Sequence, residues 1–164
     1  MSRKMLMVDP ERCTGCRLCE ITCSVMHTGV SNPARARIHV IKWEDQGFYL
    51  PMSCRQCEDA ACMTVCPKEA IYRDKAIERV MIDDDRCIGC KMCVSACPFG
   101  AMGFDDRSGR VFKCDLCGGA PQCVRFCDMG AVDYVETTRF QYQRMREAGE
   151  NLSELMRKHT GHTA

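Results

Sequence analysis

The sequence has no long hydrophobic run. No stretch approaches the roughly 18 apolar residues of a membrane span. Its first residues, Met1-Ser2-Arg3-Lys4-Met5-Leu6-Met7-Val8-Asp9, hold too short an apolar segment for a secretory leader and no twin-arginine pair, so a cytoplasmic location is expected. Neither charge sign is in excess: 23 Lys and Arg stand against 22 Asp and Glu. That balance removes any compositional signal for nucleic acid or an anionic membrane surface. Aromatic residues are scarce at 7%, with one Trp, and the 46% hydrophobic fraction includes 16 cysteines. A conventional apolar core is therefore thin for 164 residues. No Ser–His–Asp set, phosphate loop or G-x-G-x-x-G occurs, and Gly118-Gly119 is too short to count.

What the chain does have is cysteine, at a level that marks a disulfide scaffold or a metal-rich protein. In a reducing compartment dense cysteine reads as metal binding or redox chemistry. The cysteines form four groups of four: Cys13, Cys16, Cys19, Cys23; Cys54, Cys57, Cys62, Cys66; Cys87, Cys90, Cys93, Cys97; and Cys114, Cys117, Cys123, Cys127. Groups one and three are C-x2-C-x2-C-x3-C. Group two is C-x2-C-x4-C-x3-C and group four is C-x2-C-x5-C-x3-C. Val8 to Cys23 aligns without gaps on Ile82 to Cys97, with Asp9/Asp83, Arg12/Arg86, Gly15/Gly89 and all four cysteines identical, so these groups are internal repeats. Groups two and four, with longer middle gaps, form the second related pair.

Short strands are predicted on either side of the groups. Met5–Val8, Val80–Ile82 and Val111–Lys113 lead in; Ala70–Tyr72, Ala101–Phe104 and Ala131–Val135 lead out. Asp105-Asp106-Arg107-Ser108-Gly109 is a turn signal. Arg37–Glu44 and Phe48–Met52 read as an extra hairpin, and each C-x3-C suits one helical turn. After Val135 cysteine stops, and Met145, Ala148, Leu152 and Leu155 or Met156 recur at helical spacing.

An iron–sulfur cube needs four thiolates. Three cysteines on a tight loop reach three corners, and backbone N–H groups tune the sulfurs. Gly15 and Gly89 suit the positive φ such a loop requires. The fourth cysteine points away from that cube and in two-cluster ferredoxins ligates the other one. Zinc sites use pairs of C-x2-C instead, and a disulfide framework lacks the secretion signal that would support it.

With these motifs the chain resembles, over roughly residues 5–135, the four-cluster ferredoxin-like electron-transfer subunits of molybdopterin or tungstopterin oxidoreductases, hydrogenases and CO dehydrogenases. Its short length and the five-residue middle gap of group four are most similar to the small polyferredoxin subunit of tungsten-dependent aldehyde oxidoreductases. The resemblance implies an α+β fold of two nested ferredoxin-like halves of the bacterial 2[4Fe-4S] type. Residues 1–135 would form this domain, with an outer half at about 1–35 and 106–135, an inserted half at about 50–105 and the hairpin at about 37–52. Residues 136–164 would be a helical tail for docking in cis, on a partner, or on a second copy of the chain. It implies four [4Fe-4S] clusters, held by Cys13, Cys16, Cys19 with Cys127; Cys114, Cys117, Cys123 with Cys23; Cys54, Cys57, Cys62 with Cys97; and Cys87, Cys90, Cys93 with Cys66. It implies a subunit without a catalytic site, relaying electrons between a large tungsto- or molybdopterin subunit and another redox partner. A free diffusible polyferredoxin and a cluster-stapled interaction module are the competing readings.

Other residues carry less. His27 and His39 near group one read as surface or hydrogen-bonded side chains, and His159 and His162 fall in the tail. Asp83-Asp84-Asp85 reads as a solvated turn, Trp43 as hairpin packing, and the methionines as soft filling. An oxidised cube with four thiolates carries about −2, so four cubes turn the formal +1 into about −7 and call for a partner with compensating basic surface. Because the cubes replace the missing apolar core, iron removal is expected to abolish most far-ultraviolet circular dichroism; a native-like spectrum of the iron-free chain would contradict this.

Overall fold

Among the described residues eight short strands pair into four separate antiparallel two-stranded ladders in a small mixed α/β fold. The fold is that of a computed structural model, which describes residues 3–138 together with 141, 145 and 149. The expected amphipathic face over Met145, Ala148, Leu152 and Leu155 falls largely outside the described residues. The strands are β1 (Lys4–Val8), β2 (Ile38–Trp43), β3 (Phe48–Ser53), β4 (Ile71–Asp74), β5 (Arg79–Ile82), β6 (Met102–Asp105), β7 (Arg110–Lys113) and β8 (Val132–Glu136). They fall within a residue or two of the segments predicted from the sequence. A lone two-stranded ladder is marginal in water, so each depends on what packs against it.

The ladder of β1 with β8 joins the two ends of the cysteine-bearing segment, with Leu6 opposite Tyr134 and Val8 opposite Val132. Backbone bonds extend it at both ends: the Asp9 amide donates to Ala131 O at 2.9 Å and the Thr137 amide to Arg3 O at 2.8 Å. Between these ends lie the β2–β3 hairpin, the β4–β5 ladder and the β6–β7 hairpin. Two buried cores result. One gathers Leu6, Ile38, Leu116 and Val132 with Cys19, Cys23, Cys114 and Cys123. The other gathers Ile71, Val80, Met102 and Val111 with Cys93, and Cys62, Cys66 and Cys97 pack against it. Cysteine sulfur thus lines both interiors, as the thin apolar composition requires.

Four helices carry the third cysteine of each group, and the first also carries the fourth: α1 (Leu18–Thr28), α2 (Ala61–Thr64), α3 (Met92–Ala96) and α4 (Gln122–Arg125). Three are about one turn, as expected of C-x3-C. The first is longer, at 11 residues. Pro67 and Pro98 follow the fourth cysteine of groups two and three and end those helices, because proline has no N–H to continue them. Cys23 is followed by Ser24, which is fully buried. Its hydroxyl donates to Ile21 O at 2.8 Å and accepts the Asn32 amide at 3.1 Å, so the helix runs on until Gly29 caps it with φ 73°.

Polar contacts tie the two cores together. Arg35 pairs with Asp105 at 3.3 Å, and the Arg79 guanidinium donates to Asp115 O at 2.9 Å. Among the described residues no helix is long and apolar enough to cross a membrane.

Two glycines separate strain from crowding. Gly29 has φ +73° and open space where a Cβ would stand, whereas Gly89 has φ +66° and a Cβ there would clash with the Gly109 carbonyl oxygen. Gly29→Ala should cost about 1–2 kcal/mol, the ordinary penalty for a left-handed L-residue. Gly89→Ala should cost clearly more, because backbone must also move; equal thermal stabilities for the two loaded variants would refute the clash.

Candidate metal centres

All four cysteine loops share one backbone device. The residue before the second cysteine lies in the left-handed region: Gly15 (φ 70°), Gln56 (φ 51°), Gly89 (φ 66°) and Leu116 (φ 59°). That turn reverses the loop so that the flanking sulfurs face one side. The following helix then presents Cys19, Cys62, Cys93 or Cys123. All sixteen cysteines are free thiols.

The fourth cysteine of each group receives a backbone N–H on its sulfur. Ala70 donates to Cys66 at 3.3 Å, Ala101 to Cys97 at 3.4 Å and Ala131 to Cys127 at 3.2 Å. These are the alanines that follow each fourth cysteine across three residues. In group one the long helix α1 displaces that alanine position, and the Arg37 amide donates to Cys23 at 3.2 Å instead. Such N–H···S contacts stabilise a sulfur that carries negative charge.

The groups meet in pairs. Cys23 lies close enough to Cys114, Cys117 and Cys123 that their charges act on one another. Cys97 stands in the same relation to Cys62. Cys66 shares a small apolar cavity with Cys87, Cys90 and Cys93. Cys13, Cys54 and Cys127 all pack against the first core, which holds Cys19, Cys23, Cys114 and Cys123. Other groups also lie within electrostatic reach of one another: Cys19 acts on Cys123, Cys54 on Cys114, and Cys62 on Cys93. Only Cys16 and Cys90 are exposed.

Burial dominates the electrostatics. It pushes the Cys19 and Cys114 thiols up to about 12 and Cys93 to about 11, and raises Cys123 further. A thiol in such a place gives up its proton readily only to a cation that binds the sulfur. Sixteen free thiols in sets of four, with backbone N–H groups aimed at sulfur, are a donor set that fits iron–sulfur clusters.

The remaining candidates settle differently. His27 Nε2 sits 3.8 Å from Cys117 Sγ and 3.5 Å from Asp115 Oδ1, and Asp115 Oδ2 pairs with Arg37 at 2.8 Å. Burial, and secondly Arg37, lowers the His27 pKa, favouring the neutral ring. These three residues could geometrically hold an ion, but Cys117 already belongs to group four. His39 is exposed on β2. Asp83 accepts the Asp85 amide at 3.0 Å, the turn expected there. Trp43 packs on Phe48 with ring centroids 5.4 Å apart.

Three residues that sequence reasoning passed over are nearly completely buried polar groups. Glu20, 1% exposed, accepts the Val40 amide at 2.6 Å and pairs with Arg17 at 2.7 Å beside Cys19. Gln56 donates to Cys114 O at 2.7 Å and accepts the Val80 amide at 2.8 Å. Lys113, 3% exposed, ends β7 against Gln56. One signal was visible for Gln56: it and Leu116 occupy the loop position that is glycine in groups one and three.

Residues 45–137 match the 4Fe-4S dicluster domain family, and residues 10–26 match the 4Fe-4S binding domain. The chain is similar to the electron transport protein HydN of Escherichia coli K12, 41% identical over 70% of this chain and 75% of that protein. It is 38% identical to the polyferredoxin-like subunit of the aliphatic sulfonate oxidoreductase of Pyrococcus furiosus, over 70% of this chain and 66% of that one. It is 38% identical to a polypeptide of the anaerobic dimethyl sulfoxide reductase of Escherichia coli K12, over 67% of this chain and 59% of that one. Among solved structures it resembles a component of the active site complex BamBC of benzoyl coenzyme A reductase, with TM-score 0.52, 26% identity, and 90% of this chain covering 89% of that one.

Removing the Glu20 carboxylate leaves both the Arg17 guanidinium and the Val40 amide without a partner. Glu20→Ala is expected to destabilise the loaded protein by about 1–3 kcal/mol, the cost of leaving the buried Val40 amide without an acceptor, since the half-exposed Arg17 guanidinium turns to water. Glu20→Gln, which keeps an acceptor for Val40, should cost less. Chemical denaturation checks the ranking, and equal losses would refute it.

Proposed function

The protein belongs to the 4Fe-4S dicluster domain family of electron-transfer iron–sulfur proteins and carries [4Fe-4S] clusters, and we propose that it is the relay subunit of an oxidoreductase complex, built to hold four clusters in one row. Bound [4Fe-4S] clusters supply one-electron redox chemistry whose potential follows charge, hydrogen bonding and solvent access.

The proposed ligand sets are Cys13, Cys16, Cys19 with Cys127; Cys114, Cys117, Cys123 with Cys23; Cys54, Cys57, Cys62 with Cys97; and Cys87, Cys90, Cys93 with Cys66. The neighbour relations of Cys23, Cys97 and Cys66 support this exchange of fourth cysteines. It corresponds to two nested ferredoxin-like halves, an outer one at about 1–35 and 106–135 and an inserted one at about 50–105. In support, β1 pairs with β8 around everything else, and the residue-105 boundary falls at the β6–β7 turn.

The charge interactions Cys19–Cys123, Cys54–Cys114 and Cys62–Cys93 support an order of the sets as group one, four, two, three. The observation that carries the functional reading is that only the terminal sets expose a cysteine, Cys16 at one end and Cys90 at the other. Exposed apolar side chains stand close in sequence to each: Leu18, with Ile21 further along α1, follows Cys16, and Ile88 and Met92 flank Cys90. Two ends, each with an open sulfur and an apolar rim, suit a protein that meets one redox partner at each. The chain then needs no substrate site of its own.

The catalytic partner is proposed to be a tungsten-dependent oxidoreductase of the aldehyde-oxidising kind, in the cytoplasm. The similarity to a polyferredoxin-like oxidoreductase subunit and to a component of BamBC supports a dedicated catalytic partner. The five-residue gap of group four supports the tungsten assignment over a molybdopterin enzyme.

Purification of the tagged chain from its native host is expected to bring down a large subunit containing tungsten. Molybdenum there would select the alternative enzyme class, and a lone four-cluster monomer would establish a diffusible polyferredoxin. The ligand exchange has its own test. Cys23→Ser and Cys117→Ser should alter the same electron paramagnetic resonance signal, and Cys97→Ser and Cys57→Ser should share another; a shared signal for Cys23→Ser and Cys13→Ser would overturn the pairing.

A further inference from the structure

Lys113 is the last residue of β7 and is 3% exposed. Its ammonium donates to Gln56 Oε1 at 3.4 Å, to Cys114 O at 2.9 Å and to Val80 O. Three acceptors and no donor surround it, the environment that suits an ammonium with its three N–H bonds. Among the described residues no carboxylate pairs with it. A lone buried cation of this kind is costly unless something nearby is negative. What is nearby is sulfur: Lys113 is among the charges that act on Cys62 of group two and on Cys114 of group four. It stands where the outer and inserted segments meet, and Gln56, from the loop of group two, holds its position by bonding both to it and to Cys114 O.

The contrast with the start of the row is informative. There the buried charge beside Cys19 is Glu20, and it is neutralised by Arg17 at 2.7 Å. In the middle of the row the buried positive charge has only neutral oxygens as direct partners. Charges act strongly across a poorly solvated interior, and local charge and hydrogen bonding set cluster potentials.

We propose that Lys113 is the buried cation that raises the reduction potentials of the two inner clusters, those of groups four and two, above what their sulfur ligands alone would set. This rests on the ligand sets proposed above. The extra electron on either inner cluster adds negative charge next to a fixed ammonium, so reduction there is favoured. The middle of the row is then where an electron rests, and the exposed ends are where it passes in or out.

The test is a redox titration of the full-length loaded protein, followed by electron paramagnetic resonance, with iron and sulfide counted in each sample. Lys113→Met removes the charge and keeps the length. Two of the four midpoints should fall, each by at least tenfold in the reduction equilibrium, which for one electron is about 59 mV. Those two must be the signals altered by Cys23→Ser and Cys97→Ser. Lys113→Arg should keep them near the parent values. Gln56→Glu offers a second route, since it retains Lys113 but sets a carboxylate against it, and the same two midpoints should fall. Unchanged midpoints in fully loaded Lys113→Met or Gln56→Glu would overturn the proposal, as would shifts confined to the other two signals. So would failure of both variants to load four clusters, because a residue that only tunes can be replaced without losing them. The ligand-set reading fails separately, through the cysteine variants, and the partner reading through purification.

Discussion

Housing sixteen thiols is the constraint on which the rest of the structure depends. Five of them, Cys19, Cys23, Cys93, Cys114 and Cys123, are buried, and burial is the main force that drives the deepest far from ionisation. In an ordinary protein such sulfurs would be inert filling. Here they line both cores while the apolar side chains are too few to close either core alone. Ladders of two strands and helices of one turn are not self-supporting, so metal–sulfur bonding and folding are one event in this chain.

The same constraint explains how the repeat was made asymmetric. All four loops need a left-handed residue before the second cysteine. In groups one and three it is glycine, and those loops carry the exposed Cys16 and Cys90. In groups two and four it is Gln56 and Leu116, which are 2% and 1% exposed. Each non-glycine residue accepts about 1–2 kcal/mol of backbone strain. In return Leu116 fills the first core and Gln56 bridges Cys114 and Val80, one from each core. Gln56 also seats Lys113. Outward-facing loops kept the unstrained residue, and inward-facing loops exchanged it for packing.

Much of this was legible in the sequence. The cysteine spacing marked the loops, and the strands around them followed from short apolar runs bounded by turns. The overrun of α1 was half visible, because Ser24 stands where groups two and three have proline. What sequence did not disclose is how the two cores join. The Gln56–Cys114 bond links residues 58 positions apart, and the Lys113–Val80 bond links residues 33 apart. Neither has a local pattern, since a lysine before a cysteine reads as surface until both partners are placed. Glu20 was hidden for the same reason. It lies on a helix whose exposed face holds Leu18, Ile21 and Val25, an inversion of the usual amphipathic order that only the packing against β2 explains.

The ladder of β1 with β8 has a consequence for how the protein comes into being on the ribosome. Groups two and three occupy one continuous stretch, Cys54 to Cys97, so with the ligand sets proposed above every thiol of their two clusters is present once residue 97 has been made. With the same sets the other two clusters wait for Cys127, and the ladder waits for Glu136. For that interval Lys4–Val8 is an unpaired strand edge. The proposed sets thus let maturation run from the inside outward, with the first cysteines to be synthesised among the last to be completed.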